Sequence, residues 1–406
     1  MKNILFPICC ILLLWGCGNN SANSPKATGT SKNTEEEAAS PSGYAPAFEG
    51  QTRITPVTTK TPFEVKVLTK DLKSPWGICA LPDGRFLVTQ KGGDMCIVTS
   101  AGAKSEAIKG VPAVNDNGQG GLLGVTIDPA FATNRMVYWT FSEKTNEGNL
   151  TAVAKGKLSA DEKSLENVMV IYRATPGYNG TLHYGSRILF DKTGNLVFST
   201  GERSDKETRP QAQFLNSSLG KVIRITTDGK PAAGNPFAGT AGARPELYSY
   251  GHRNVQGLAL HPITGDLWEG EFGPRGGDEI NRIQPGKNYG WPTITYGMEY
   301  SGDKVGEGIT QKEGLEQPVY YWDPVVSPSG MTFYNSDVIP EWKNNLFISG
   351  LSSQRIVRLV IENNKVTGEE KLLGDEKQRF RDVTVGGDGA LYAVTDQGKL
   401  YRVSKK

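Results

Sequence analysis

"FDKTGNLVFSTGE", residues 190–202, begins with a turn made of Asp, Thr, Gly and Asn and ends in a short run of β-forming residues. Asp, Gly and Asn favour a tight reversal of the chain, and the run that follows has the composition of a strand. We refer to this pattern as the turn phrase. Five more copies occur, about 45 to 75 residues apart: "LPDGRFLVTQ" (81–90), "IDPAFATNRMVYWTF" (127–141), "HPITGDLWEGE" (261–271), "YNSDVIPEWKNNLFISG" (334–350) and "VGGDGALYAVTD" (385–396).

The segments between the turn phrases indicate the fold class. Alternating β-branched and aromatic runs are common there, whereas amphipathic helices of three or more turns are hard to find. Six copies, each offering three or four short strands, predict an all-β fold, a six-bladed β-propeller. We expect "FEVKVLTKDL" (63–72) to close the ring as the outer strand of the blade that ends in "GKLYRVSKK" (398–406). An irregular pair of β-sandwiches is the alternative.

Composition limits the class of protein further. A chain of 406 residues with 37% apolar residues can bury a large core, which excludes disorder of the whole chain. Its 45 basic and 43 acidic residues leave a net charge of +2, and no long basic run is present to follow a phosphate backbone. These features argue against nucleic acid as a partner.

The N-terminus is predicted to direct export. Residues 1–16 have the pattern of a signal peptide, and "LWGC" (14–17) resembles the lipobox of bacterial lipoproteins. This resemblance implies cleavage before Cys17 and acylation of its thiol and new amino group, which would anchor the protein to a bacterial membrane. An ordinary secretory signal or an uncleaved anchor is the alternative. In each case we expect an exported chain that faces the periplasm or the cell surface.

The chain after the signal divides into two predicted parts. Residues 17–60 are rich in Ser, Asn and Glu and have almost no large aliphatic residues. Such a segment buries too little apolar surface to offset its ordering entropy, so a flexible tether is expected. Residues 61–406 should form the propeller.

Two cysteines, Cys79 and Cys96, lie beyond the lipobox-like Cys17. In an exported protein such a pair suggests a disulfide. However, "WGICAL", "RFLVTQ" and "MCIVTS" are predicted to be three consecutive antiparallel strands, with the cysteines on the two outer ones. Strands two apart are separated by about 9–10 Å, beyond the ~7 Å Cα limit for a disulfide. Both thiols are therefore expected to be buried and unpaired.

Four stretches differ from the strand-and-turn pattern and carry the candidate binding residues. They are "NDNGQGGLLGV" with Gln119, "TLHYGSR" with His183 and Arg187, "YSYGHRNVQGLAL" with Arg253 and Asn254, and "QRFRDV" with Arg379 and Arg381.

Arg379 and Arg381 are two residues apart in a β-rich segment, so their side chains leave the same face. Two neighbouring guanidinium groups repel each other unless an anion joins them, and a ligand with several carboxylates would do so through bidentate hydrogen bonds. The alternative is surface ion pairing with the nearby carboxylates, which are Asp375, Glu376 and Asp382.

The stretch "EFGPRGGDEINRIQPGKNYGW" (271–291) places three carboxylates among glycines and a proline. No histidine or cysteine lies within it, and hard oxygen ligands on a loop suit Ca²⁺. The loop does not match an EF-hand, and a solvated acidic turn is the alternative.

Taken together, these motifs resemble one family. From "SPWGICALPDGRFLVTQ" to the C-terminus the chain resembles the soluble aldose sugar dehydrogenases of the glucose/sorbosone dehydrogenase family, which are six-bladed propellers that use pyrroloquinoline quinone (PQQ). The resemblance covers residues 63–403 and rests on seven motifs in the family's order: "GQGGLLGV", "LHYGSR", "YSYGHRNVQGLALHP", "FGPRGGDEIN", "GKNYGWP", "SGMTFYNSD" and "QRFRDV".

The resemblance implies a role for each candidate residue. His183 would be the general base that takes the proton of the sugar's anomeric hydroxyl, a role that suits imidazole because its pKa lies near neutrality. His252 and His261 are weaker candidates. The resemblance implies that PQQ, with its three carboxylates, would be held by Arg253, Asn254, Arg379 and Arg381, with Gln119 and Arg187 lining the same pocket. The implied calcium ligands are the carboxylate of Glu279 and the carbonyls of Gly273, Pro274 and Tyr289.

The chain also departs from the family pattern. Ser352 in "LFISGLSSQR" stands where family members commonly have a lysine that contacts the cofactor, and Arg355 is the nearest cation that could replace it. Phe272 stands where many relatives have a polar residue. Leu182 replaces an aspartate of the soluble glucose dehydrogenases, which weakens the case for glucose as the specific substrate.

The resemblance predicts PQQ- and calcium-dependent oxidation of aldose sugars, or of other aldehyde-type substrates, to lactones. No CxxCH haem motif is present, so a separate electron acceptor is expected. A propeller that binds carbohydrate or protein at the cell surface without catalysis is the alternative, because propellers often serve as scaffolds. A third hypothesis is a calcium-dependent lactone hydrolase.

Overall fold

Six antiparallel sheets follow one another along residues 40–406, the part of the chain that the computed structural model describes. The innermost strand of each sheet contacts the innermost strand of the next, and the last contacts the first. This closed ring is a six-bladed β-propeller, so the predicted fold class is confirmed.

The strands are numbered in chain order. Blade one has β2 (Pro75–Ala80), β3 (Phe86–Gln90) and β4 (Asp94–Val98). Blade two has β5 (Leu122–Ile127), β6 (Met136–Thr145), β7 (Gly148–Leu158) and β8 (Leu165–Arg173). Blade three has β9 (Ile188–Phe190), β10 (Leu196–Thr200), β11 (Lys221–Ile225) and β12 (Leu247–Tyr250).

Blade four has β13 (Val255–Leu260), β14 (Leu267–Glu271), β15 (Asp278–Ile283) and β16 (Tyr320–Trp322). Blade five has β17 (Pro328–Phe333), β18 (Leu346–Gly350), β19 (Arg355–Glu362) and β20 (Lys365–Leu372). Blade six has β21 (Phe380–Val385), β22 (Leu391–Thr395), β23 (Leu400–Lys405) and β1 (Phe63–Thr69). The helices are α1 (Phe131–Asn134) and the 3₁₀ turns Arg209–Gln213, Pro340–Trp342 and Gly374–Glu376.

Each turn phrase joins the innermost strand of a blade to the second strand. In "FDKTGNLVFSTGE" the carboxylate of Asp191 accepts hydrogen bonds from the backbone N–H groups of Thr193 and Asn195, and Gly194 takes a positive φ of 80°. Asp therefore satisfies the exposed backbone of the turn, and Gly adopts the left-handed conformation without a Cβ penalty. The repeat seen in the sequence is thus the first hairpin of each blade.

The ring closes as predicted. Strand β1, near the start of the described chain, pairs antiparallel with β23 at its end, in the register Phe63↔Lys405 to Val67↔Tyr401. The ring is thereby fastened by backbone hydrogen bonds between the two ends of the domain. The apolar core lies between blades, where clusters include the fully buried Trp139, Trp268 and Trp342.

Blade one has three regular strands, and its cysteines lie on the outer two, as predicted. Cys79 on β2 is opposite Leu87 and Cys96 on β4 is opposite Val88, so the two thiols face opposite sides of the sheet. Both are unpaired. Cys96 is buried, whereas Cys79 is partly exposed, contrary to the expectation for that residue. Burial raises the pKa of Cys79 to about 12 and that of Cys96 to about 11.

The predicted signal and Cys17 lie outside the described residues. The described end of the predicted tether differs from the expectation, because residues 40–60 pack against the propeller. Gln51 is fully buried, the backbone N–H of Val57 donates to the Glu369 carbonyl, and Thr59 donates to the carboxylate of Glu370 from both its N–H and its hydroxyl, each at 2.6 Å. Polar contacts hold this segment against the propeller. A prediction based on the number of aliphatic residues does not detect such contacts. In residues 40–406 no helix is long and apolar enough to span a bilayer.

Removal of residues 40–60 should therefore destabilise the propeller. Each lost hydrogen bond contributes roughly 0.5–1.5 kcal/mol, so a chain that begins at residue 61 should unfold several degrees below one that begins at residue 40. Thermal unfolding followed by circular dichroism measures the difference, and a chain that begins at residue 18 is the control for the segment before it. Equal Tm values for the chains that begin at 40 and 61 would contradict this expectation.

Candidate active site

The candidate residues gather at one end of the ring. They stand just before or at the start of innermost strands: Gln119 before β5, His183 before β9, Arg253 and Asn254 before β13, and Arg379 before β21. Each second strand runs antiparallel to the first, so the residues that follow it reach the same end. These are Lys91, Glu202, Phe272, Leu351 and Asp396.

A cavity of about 370 Å³ opens at this end. We call it the arginine cavity. Its lining includes Trp76, Lys91, Gln119, Gln256, Phe272, Ser327, Leu351, Arg379, Arg381 and Asp396. The volume and the mixture of apolar walls with a few charged groups are typical of a small-molecule site.

The arginine pair lies on this cavity with its side chains on one face, as predicted. Asp396 bridges the pair, since its carboxylate lies 2.9 Å from Nε of Arg379 and 2.8 Å from Nε of Arg381. The sequence suggested Asp375, Glu376 or Asp382 as partners, and all three suggestions were wrong for this pair. The true partner follows the neighbouring strand β22, 15 residues away from Arg381, so proximity in sequence did not identify it.

Arg187 lies behind the arginine cavity. Its guanidinium stacks 4.4 Å from the ring of Trp76, and its Nη1 is 2.6 Å from a carboxylate oxygen of Asp382. The Nη2 atom of Arg187 is buried without a hydrogen-bond partner. An unused donor beside a cavity lined by two more arginines fits a polyanionic ligand.

His183 is buried beside Glu202. Its Nδ1 lies 2.9 Å from Glu202 Oε1, and its backbone N–H donates to Gln119 Oε1 at 2.8 Å. A carboxylate on Nδ1 favours the tautomer that carries the proton there, which leaves the lone pair of Nε2 available to accept a proton. Burial and the nearby Arg253 cation lower the pKa of His183 to about 4, although Glu202 raises it. The imidazole is therefore a neutral base at neutral pH.

The turn around His183 depends on the two neighbouring blades. His183 has a positive φ of 48°, and the backbone N–H of Gly185 donates to Oδ1 of Asn254 at 3.0 Å. A Cβ at Gly201 would lie 2.2 Å from the carbonyl oxygen of His183, so only glycine permits this approach. Gln119 and Asn254, predicted as cofactor ligands, therefore also position the candidate base.

Arg253 fastens the predicted calcium loop. Its Nη1 donates to the carbonyl oxygens of Gly273 at 2.7 Å and Phe272 at 3.2 Å, and its guanidinium lies over Trp291. The side chain of Asp278 accepts the N–H of Gly273 at 2.8 Å on the other side of the loop. The Gly273 carbonyl, an expected calcium ligand, is thus held in a fixed position.

The other predicted calcium residues lie on the same blade. Glu279 on β15 is partly exposed and accepts a hydrogen bond from Asn281 at 3.1 Å. The ring of Tyr289 stacks on His252, and its backbone N–H donates to the Tyr250 carbonyl. Burial raises the pKa of Glu279 well above its usual range, and the neighbouring Glu271 carboxylate raises it further. A cation at Glu279 would relieve this repulsion, so the Glu279 carboxylate fits the implied metal.

Four of the residues that line the arginine cavity or orient its base were missed in the sequence, namely Glu202, Asp396, Lys91 and Gln256. A sequence pattern could have identified the first three, because each lies in the same place relative to its turn phrase. Each follows the second strand of the hairpin that the turn phrase forms. Lys91 adds a further cation to the cavity, with its Nζ donating to the Asp116 carbonyl at 2.8 Å. Gln256 Oε1 accepts from Arg381 Nη1 at 3.1 Å.

The departures from the family pattern have structural positions. Ser352 Oγ is 2.7 Å from Oγ of Ser327, which lines the arginine cavity. Arg355 lines a separate cavity with Tyr320 and Trp322, so it is not the replacement for the absent lysine. Phe272 forms part of the wall of the arginine cavity, and Leu182 is 41% exposed beside His183.

The fold and the site together describe a six-bladed propeller with an arginine-lined cavity at one end and a buried histidine paired with a glutamate beside it. Residues 72–402 match the family model described as Glucose / Sorbosone dehydrogenase, and the chain belongs to that family.

Named relatives agree with this assignment. The chain is 42% identical over 347 residues to the aldose sugar dehydrogenase YliI of Escherichia coli, covering 84% of this chain and 93% of that protein. The apo-form structure of the soluble aldose sugar dehydrogenase from Escherichia coli superimposes with a TM-score of 0.81 at 40% identity, covering 85% of this chain and 100% of that one. The PQQ-bound aldose sugar dehydrogenase from Streptomyces coelicolor gives a TM-score of 0.70 at 31% identity, covering 86% and 99%.

The His183 imidazole should titrate near pH 4 in the protein without cofactor, far below the ordinary histidine value. Because Glu202 stabilises the imidazolium, Glu202→Gln should move the midpoint lower still. NMR titration of the three histidines measures this, with His183→Ala assigning the signal. A midpoint at pH 6 or above for the wild-type residue would contradict the described environment.

Proposed function

We propose that this protein oxidises aldose sugars to lactones with PQQ as cofactor and calcium as its metal, and passes the electrons to a separate acceptor. The observation that carries the proposal is the His183–Glu202 pair, a neutral base held beside a cavity lined by arginines. The family assignment and the PQQ-bound relative support the choice of cofactor.

His183 supplies the base. Nε2 accepts the proton of the anomeric hydroxyl while C1 loses a hydride, and the C1–O bond becomes the carbonyl of the lactone. The Nδ1–H of His183 donates to the Glu202 carboxylate, which stabilises the imidazolium as it forms. Desolvation of the buried ring and the nearby Arg253 cation keep it unprotonated before the sugar binds.

The arginine cavity would hold the cofactor. When bound, PQQ supplies the two-electron acceptor for the hydride. Arg379, Arg381 and Lys91 offer charge to its carboxylates, and Asp396 holds the two guanidinium groups side by side. Arg187 adds a third guanidinium behind Trp76, which lines the cavity.

Calcium would be bound by the Glu279 carboxylate and by the carbonyls of Gly273, Pro274 and Tyr289. Carboxylate and carbonyl oxygens are the ligands that Ca²⁺ prefers. Its role would be to orient the cofactor and to act as a Lewis acid.

The proposal places the enzyme outside the cytoplasm. The signal-like residues 1–16 and the lipobox-like Cys17 support export and a lipid anchor on a bacterial membrane. An anchored dehydrogenase that has no haem motif of its own would pass electrons to a carrier near the membrane.

The first test is a titration of the calcium-loaded protein, residues 18–406, with PQQ, followed by cofactor absorbance and then by addition of an aldose. We expect saturable binding and sugar-dependent reduction. His183→Ala should retain PQQ binding and lower turnover by roughly 10²–10⁴-fold, since general-base catalysis contributes that much. Saccharide binding with no PQQ binding would instead favour the non-catalytic propeller. That alternative is motivated by Ser352, which stands where family members commonly have a lysine.

The arginine pair should control cofactor affinity. Arg381→Met removes charge-assisted hydrogen bonds of about 1.5–3 kcal/mol, so the Kd for PQQ should rise by at least about tenfold. Arg402→Met is the matched control, because Arg402 lies on the same blade and pairs with the exposed Asp388 away from the cavity. Equal PQQ affinities for the two variants would show that the arginine cavity is not the cofactor site.

A further inference from the structure

A second group of polar side chains lies on blade four, outside the set predicted for calcium. Glu269 is directly opposite Asn281, and Glu271 is directly opposite Glu279, so the two strands present these side chains on one face of the sheet. His252 packs over this face. Its Nδ1 lies 3.2 Å from Glu271 Oε1 and 3.9 Å from Glu269 Oε1.

The negative charge of the two carboxylates in this group is not balanced by the side chains that contact them. Glu269 and His252 are fully buried, and Glu271 is 3% exposed. Both carboxylates form their ion pairs with the one imidazole, and the backbone N–H of Arg253 adds a hydrogen bond to Glu271 at 2.5 Å. One histidine carries at most one positive charge, so two ionised carboxylates leave one negative charge without a counter-ion in a buried group.

Two oxygen atoms of the group are also without partners. Within the described part of the chain, Glu269 Oε2 and Asn281 Oδ1 are buried and have no hydrogen-bond donor. The Asn281 amide lies inside the group, since its Nδ2 donates to Glu269 Oε1 at 2.7 Å and to Glu279 Oε2 at 3.1 Å. A buried oxygen without a donor is costly, and a cation bound by the Glu269 carboxylate would compensate that cost at Glu269.

The spacing of the ligand atoms suits a metal ion. One atom each from His252, Glu269 and Glu271 lies within 4.8 Å of the others. A tetrahedral metal with ligands at about 2.0–2.1 Å separates those ligands by about 3.3–3.4 Å, close to the 3.2 Å and 3.9 Å observed. A small closure of the side chains would complete the site.

The histidine is also held as metal-bound histidines are. Its Nε2 lies 2.8 Å from Ser249 Oγ, an oxygen that can accept the Nε2–H and leave the Nδ1 lone pair directed at the carboxylates. The ring of Tyr289 stacks on the imidazole with centroids 4.8 Å apart, which fixes the plane of the ring.

We propose that His252, Glu269 and Glu271, with Asn281 beside them, bind a divalent transition-metal ion such as Zn²⁺. Two carboxylates neutralise the charge of the dication, and an imidazole nitrogen among the ligands favours Zn²⁺ over Ca²⁺, which takes oxygen ligands. The site shares no ligand with the predicted calcium set. The metal would stabilise blade four next to the loop whose carbonyls accept hydrogen bonds from Arg253.

Metal retention tests the proposal. The chelator-treated protein, residues 18–406, is incubated with Zn²⁺ and excess Ca²⁺ without PQQ or sugar, desalted, and analysed by mass spectrometry for metal. We expect one Zn²⁺ per chain and a higher Tm. Glu269→Gln and His252→Gln should each lose the Zn²⁺ and the rise in Tm, whereas Glu279→Gln should keep both.

The chain contains three histidines, which gives matched controls. His261→Gln and His183→Ala should retain one Zn²⁺, and loss of the metal in either of them, with retention in Glu269→Gln, would overturn the proposal. Failure of the wild-type protein to retain Zn²⁺ would do so as well, and would mean that Glu269 carries a proton instead. If His252→Gln does not fold, Glu269→Gln alone decides. None of these results depends on PQQ binding.

Discussion

The geometry of the first hairpin in each blade governs this molecule. The innermost strand runs away from the end of the ring that carries the site, and the second strand returns to it. Residues before the first strand and after the second must therefore meet around the axis, whichever blade supplies them. His183 precedes β9 and Glu202 follows β10, so a single hairpin joins the candidate base to its carboxylate.

This geometry explains what the sequence could predict. Six turn phrases define six hairpins, and the residues before β5, β9, β13 and β21 were identified because their motifs are unusual. Asp396, Glu202 and Lys91 end ordinary-looking strands, and their function depends on contacts with a neighbouring strand or blade. Proximity in sequence points to the carboxylates near Arg381, whereas antiparallel pairing of β21 with β22 brings in Asp396, the residue after β22.

The segment before β1 shows a second limit of sequence analysis. Its composition predicts a tether because it has few aliphatic residues, yet residues 40–60 lie against blades four and five. Thr59 and Arg358 share the buried carboxylate of Glu370, at 2.6 Å and 2.7 Å. Arg358 and Glu370 are directly opposite each other on the β19–β20 hairpin, but Thr59 is 311 residues from Glu370, and no local pattern reports that contact.

Buried charged side chains in this fold are of two kinds. In one kind every polar atom has a hydrogen-bond partner, and in the other at least one polar atom has none. Lys221 is fully buried, but its Nζ donates to the carbonyls of Gln211, Ala212 and Leu219 at 2.6–2.9 Å, and each of its three protons has an acceptor. Such a group stabilises the fold and has no capacity for a ligand.

Arg187 keeps one buried nitrogen without a partner, and Glu269 keeps one buried oxygen without a partner. A buried polar atom without a hydrogen-bond partner lowers stability unless a ligand supplies the partner. Arg187 and Glu269 lie in blades three and four, beside the loops that build the site. The cationic group stacks on Trp76, a residue of the arginine cavity, whereas the anionic group lies beside His252.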